Sequence, residues 1–125
     1  MAVLTIDEIL KRKHLIDENK YEFYHSKVYD MDIKIDDVEP QELLDIVNET
    51  DEDEHHRQLK IIYLACPIFK EPMLHEEFAE RIKEPYDIIK IILRNNLGEI
   101  ADLTRFILKK YGLLADEDIE AVKKQ

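Results

Sequence analysis

Apolar residues recur at helical spacing along most of this chain, and residues 21 to 36 are the exception. Thr5-Ile6-Asp7-Glu8 fits a capping box, in which the Thr5 hydroxyl caps the Glu8 amide and the Glu8 side chain reaches back. Ile6, Ile9 and Leu10 follow on one face, so a short helix is predicted over about 6–13. A helix of that length is marginal alone and needs a surface to dock on. The polar stretch Asp17 to Lys20 joins it to the rest, and the segment 1–18 is expected to be mobile or to pack on a neighbouring copy.

Tyr21-Glu22-Phe23-Tyr24-His25 is aromatic, and Met31-Asp32-Ile33-Lys34-Ile35-Asp36 alternates apolar with polar. With Lys27 to Asp30 between them, the two runs predict a small antiparallel hairpin over 21–36 with one wet face. From residue 40 to 125 the pattern is helical. Pro40 suits a first turn, and Leu43, Leu44 and Val47 give a stripe ending near Glu49. The acidic stretch Thr50 to Glu54 opens a second helix lined by Leu59, Ile62, Tyr63 and Cys66, which Pro67 ends. A third segment, Met73 to Lys83, carries Leu74, Phe78 and Ile82. A fourth runs from Tyr86 to about Asn95, and its Ile88, Ile89, Ile91, Ile92 and Leu93 place it at the centre of the core. Gly98 is expected to end it in the left-handed conformation. A fifth, Glu99 to Tyr111, presents Ile100, Leu103, Ile107 and Tyr111 and closes at Gly112; a weaker one follows over Asp116 to Lys124. The expectation is a single mainly helical domain over 1–125, α+β by virtue of its hairpin, with about five to six helices and no internal repeat.

Charge narrows the partners. With 18 Lys and Arg against 29 Asp and Glu, the net charge is −11. Such a surface repels phosphate backbones, and no basic cluster stands out to reverse it, so neither nucleic acid nor a membrane is an expected partner. A single cysteine, Cys66, excludes an internal disulfide. The N-terminus lacks the pattern of a signal peptide, and no run is long and apolar enough to span a bilayer, so a cytoplasmic protein is expected.

Catalytic patterns are hard to find. His55 and His56 are neighbours on a helix, about 100° apart, and grip one ion poorly. His75-Glu76-Glu77 lacks the second histidine of a zinc helix. The histidines are therefore read as solvent-exposed, Cys66 as a buried structural thiol, and the 29 carboxylates as a solvated face. Two glycines, Gly98 and Gly112, cannot build a phosphate-cradling loop, and the run Asp51-Glu52-Asp53-Glu54 lacks the glycine and terminal glutamate of a calcium loop. No enzyme activity, metal or cofactor is expected.

Several short strings occur in a telling order: Leu4-Thr5-Ile6-Asp7-Glu8-Ile9-Leu10, then Lys83-Glu84-Pro85-Tyr86-Asp87-Ile88-Ile89, Leu97-Gly98-Glu99-Ile100, Lys110-Tyr111-Gly112-Leu113 and a closing Lys123-Lys124. Across nearly the whole chain this order resembles the XkdN-like family of phage tail assembly chaperones of Gram-positive phages, prophages and phage-tail-like particles. The resemblance implies a non-enzymatic protein of the host bacterial cytoplasm, absent from the mature particle. Its implied partner is the tape measure protein, which such chaperones keep soluble while tail-tube subunits assemble around it. The family supplies no single-residue site to carry over. From the residues themselves, the candidate partner-binding positions are Leu4, Ile6, Ile9 and Leu10 in the N-terminal segment and Phe106, Leu113 and Leu114 on the C-terminal side; ordinary core packing is the competing reading for each. Two rival classes stand beside the chaperone: an acidic helical interaction module of the antitoxin or regulator kind, and an acidic mimic of DNA.

Overall fold

The structure is a computed structural model, and it describes residues 2–17, 21–49 and 53–113. The predicted terminal helix over 116–124, Leu114 and most of the acidic stretch at 50–54 lie outside these residues. The described chain is mainly helical with one two-stranded sheet, as its patterning foretold.

The hairpin pairs β1 (Glu22–Ser26) with β2 (Met31–Ile35), antiparallel, with Tyr24 opposite Ile33 and His25 opposite Asp32. Strand alternation sends Tyr24, Ser26 and Ile35 into the core and leaves Phe23, His25, Asp32 and Lys34 outside. The helical body begins with α3 (Pro40–Val47), which has Pro40 in its first turn. α4 (Glu54–Ala65) follows, its N-terminus capped by Asp53, whose carboxylate accepts from the His56 amide at 2.7 Å. Cys66 is extended, as a residue before proline should be, and α4 ends there.

The segment expected as one helix over 73–83 divides. α5 (Pro72–Glu77) stops at Phe78, and a 3₁₀ turn covers Ala79–Arg81. Bonding shifts from four-residue to three-residue spacing there: Phe78 donates to the Leu74 carbonyl, then Arg81 to Phe78 and Ile82 to Ala79. The N-terminal helix also divides at Arg12, giving α1 (Ile6–Lys11) and α2 (Lys13–Asp17).

α6 (Asp87–Ile92) is shorter than expected, and its stop is not glycine. Arg94 and Asn95 take left-handed φ of 58° each, while Gly98 lies inside α7 (Leu97–Lys110). The reason is the cap of the next helix. Asn96 Oδ1 accepts from the Glu99 amide at 3.0 Å, so α7 starts at Leu97 and the reversal must finish before it. Asn95 donates to the Lys90 carbonyl at 2.8 Å and Arg94 to Ile91 at 3.2 Å, which is a Schellman motif with arginine where glycine is usual. At the far end of α7 the expectation holds. Gly112 has φ 71° and donates to the Lys109 carbonyl, while Leu113 donates to Leu108.

One cluster forms the core. Ile35, Leu43, Leu59, Ile62, Ile88, Ile89, Leu93, Ile100, Leu103 and Ile107 are fully buried in it. Its axis is the packing of α4 on α7, flanked by α3 and α6. α6 flanks that axis and does not form it: Ile88 and Ile89 are fully buried, but Ile91 and Ile92 are half-buried, because only one face of so short a helix packs on α4. Tyr111 straps the linker after β2 to the end of α7. Its hydroxyl accepts from the Val38 amide at 2.8 Å and donates to Asp37 at 2.9 Å.

Candidate protein-binding surfaces

Thr5 caps α1 as predicted, its hydroxyl accepting from the Glu8 amide at 3.2 Å, but the Glu8 carboxylate pairs with Arg12 and Lys11 instead of reaching back to complete the capping box. The helix is well made but buries none of its residues. Leu4, Ile6 and Leu10 are 71%, 74% and 61% exposed, and Ile9 is at the margin. Spacing of three and four residues lines up Ile6, Ile9 and Leu10 as an apolar stripe facing water. Lys11-Arg12-Lys13-His14 is a basic run, and residues 1–17 hold three acids and three bases.

The other candidates are placed differently. Phe106, on α7, is half-buried with its ring edge-on to Tyr24 at 5.6 Å, so it serves the core. Leu113 is exposed just past α7, and Leu114 is outside the described residues.

An open groove of about 350 Å³ lies between α3, α4 and the start of α6. Tyr63 and Tyr86 wall it, their rings edge-to-face with centroids 5.4 Å apart. Ile46 and Leu64 add apolar lining. Lys60 stands 5.9 Å from the Tyr86 ring and pairs with Glu49 at 3.0 Å; Lys70 stands 5.8 Å from Tyr63 and donates to the Leu64 carbonyl at 3.0 Å. No local pattern could have found this groove, because α3, α4 and the turn at Pro85 meet only in the fold.

The titratable groups divide into structural and surface roles. Three histidines, His55, His56 and His75, are half-buried and not the solvated side chains expected. His56 is half-buried, with Nε2 3.0 Å from Glu84 and its ring edge-on to Tyr86; His75 donates to the Phe69 carbonyl at 2.7 Å. Cys66 is fully buried as foreseen, and burial pushes its thiol up to about 12, which keeps it protonated and unreactive.

Glu99 departs from the solvated-face reading. It is buried near the N-terminus of α7 and accepts from the Ser26 hydroxyl at 3.0 Å and from the amides of Lys27 and Val28. Its carboxylate therefore ties the hairpin turn to the core. On the wet face, the His25 ring lies between two carboxylates, Nδ1 2.9 Å from Asp32 and Nε2 2.8 Å from Asp30. The hydrogen bonds to Asp32 and then Asp30 hold the imidazole above its ordinary pKa.

Among the described residues, no three metal-ligating side chains gather at one point, and no helix is long and apolar enough to cross a membrane. What the surface offers is an amphipathic helix with its apolar side in water and an aromatic groove. Comparison with protein-family models, with curated proteins and with solved structures finds no match for the chain.

Proposed function

We propose that the protein is a phage tail assembly chaperone that binds an amphipathic helical segment of the tape measure protein and keeps it soluble during tail-tube assembly. One observation carries the reading: a capped helix, α1, whose apolar stripe is not buried by its own chain. A folded body that leaves such a stripe in water suits a protein whose work is contact with another helix. The charge of −11 supports the same reading, since it keeps a client-binding protein soluble and discourages nucleic acid. The order of short sequence strings, from Leu4-Thr5-Ile6 to Lys110-Tyr111-Gly112, supplies the client.

Apolar contact supplies the affinity and charge steers the encounter, so added salt slows association more than it speeds release. Co-expression with the tape measure protein encoded beside the gene is the test. It should turn an insoluble client soluble, and the pair Ile6→Asp and Leu10→Asp should reduce the effect. A client that stays insoluble, with no complex surviving purification, ends the proposal.

A further inference from the structure

Most cations of the folded body are spoken for. Lys34, Arg57, Lys60, Lys90, Arg105 and Lys110 each pair with a carboxylate. Among the described residues from 21 onward, the lysine and arginine side chains with neither a hydrogen bond nor an ion pair are Lys27, Arg81, Lys83 and Arg94. In a chain with 29 acidic residues against 18 basic ones, these four are not scattered. Three belong to the segment 81–94, and Lys27 belongs to the hairpin turn packed on it, where the Tyr29 hydroxyl donates to the Ile92 carbonyl.

Arg81 and Lys83 line an open hollow of about 310 Å³, together with Asp87, Lys90, Ile91 and Asn95. The charge of Asp87 is already used. Its carboxylate accepts from the Lys83 and Glu84 amides at 3.0 Å and 3.1 Å and pairs with Lys90 at 3.3 Å. The Glu84 side chain is bound elsewhere, to His56 at 3.0 Å. The lining therefore carries three cations and one anion, 3 − 1 = +2, on a protein of −11. We propose that this hollow is a binding site for a small organic phosphate, held by Arg81 and Lys83 with its organic part against Ile91. The inference does not rest on the client reading.

The donors suit that group. A guanidinium meets two phosphate oxygens at once, and an ammonium adds a compact charge. Neither Arg81 nor Lys83 must leave an acid to do so. Arg81 stands 5.8 Å from the Phe78 ring, a contact that leaves its N–H groups free to donate. Size follows from charge. Interactions between exposed charges fade beyond about 8 Å at physiological salt, so a small anion in the hollow feels mainly its lining. A nucleic acid, an anionic membrane or an acidic protein would spread over the surrounding acidic surface and be repelled. The hollow is at the lower end of small-ligand sites, which run from about 300 Å³ upward.

Titration of the full chain with phenyl phosphate, followed by nuclear magnetic resonance of its amides, tests the site against sodium chloride at matched ionic strength. Saturable shifts should gather at Arg81, Lys83, Ile91 and Asn95, with a dissociation constant below about 1 mM. Arg81→Gln should raise that constant at least about tenfold and Lys83→Gln at least about threefold, each being one charged donor lost. Both side chains are exposed, so circular dichroism should stay that of the wild type. Lys34→Gln, a cation of the hairpin already paired with Asp36, should leave binding unchanged. Inorganic phosphate should bind more weakly, for want of the contact with Ile91. Shifts that chloride reproduces, shifts spread over the surface, or an Arg81→Gln variant that binds as tightly overturn the proposal. Equal affinity for inorganic phosphate would reduce the hollow to an adventitious ion only, and would overturn it as well.

Discussion

Replacing Glu99 by alanine should destabilise the protein more than any other change of a single charged residue. The side chain is 4% exposed, and it answers two well-placed donors, the Ser26 hydroxyl at 3.0 Å and the Lys27 amide, with the Val28 amide more distant at 3.4 Å. Alanine orphans both near donors. A buried donor left without a partner costs about 1–3 kcal/mol, which gives roughly 2–6 kcal/mol for the pair. Lys27 is on the exposed side of the turn and its amide can regain water, so the lower half of that range, about 2–4 kcal/mol, is the expected loss. Glutamine keeps the size and one acceptor oxygen but loses the charge and brings its own N–H groups toward donors. Its cost should be about 1–2 kcal/mol, the difference between charged and neutral hydrogen bonds. Against a total stability of about 5–15 kcal/mol, both are readily measured.

Urea unfolding followed by far-ultraviolet circular dichroism reads the global term, and amide exchange at Lys27 and Val28 reads the local one. Exchange at those two amides should accelerate in the alanine variant more than at buried positions of α4. An alanine variant within about 0.5 kcal/mol of the wild type, a margin typical of surface changes, would refute the account, as would unchanged protection at Lys27 and Val28.

Three further outcomes follow from the geometry. Because Asp32 and Asp30 raise the pKa of His25 above 6.5, the order they give the hairpin turn is complete below pH 6.5 and is lost as pH rises through the higher folded value. Nuclear magnetic resonance titration of the His25 ring should therefore give a raised midpoint that Asp32→Asn lowers, and an unshifted wild-type midpoint would contradict the clamp. Gly112→Ala should cost about 1–2 kcal/mol from left-handed backbone alone, since a Cβ there meets nothing within 4 Å, whereas Arg94→Gly at φ 58° should be neutral or stabilising by up to about 1 kcal/mol; denaturation midpoints that move the other way would discard both assignments. Cys66, fully buried with its thiol pushed to about 12, should react with a thiol reagent far more slowly in the native protein than in denaturant, and equal rates would place it at the surface.

Local chemistry made much of this fold legible in the chain. The Thr5 cap, Pro40 in a first turn, the stop at Pro67 and the glycine stop at Gly112 each depend on residues within one turn of each other, and each stands where the sequence puts it. The period of two in Met31 to Ile35 likewise fixes a strand with one wet face, because side chains of a strand alternate whatever lies beneath. Two local signals compete after α6: Gly98 has the pattern of a helix stop, but Asn96, three residues before Glu99, caps α7 and moves the left-handed reversal onto Arg94 and Asn95. Interactions that span the chain were not legible. Glu99 looked like one more solvated carboxylate, and only the packing of the hairpin turn against α7, 73 residues away in sequence from Ser26, makes it a buried anchor. The exposed stripe of α1 was legible as a stripe, since spacing shows which residues share a face. Whether that face meets the core depends on where the rest of the chain packs, and α1 lies where none of its residues is fully buried and Ile6 and Leu10 stay mostly in water. The Tyr63–Tyr86 groove belongs wholly to the tertiary structure, because its walls come from segments that only the packing of α3 and α6 on α4 brings together.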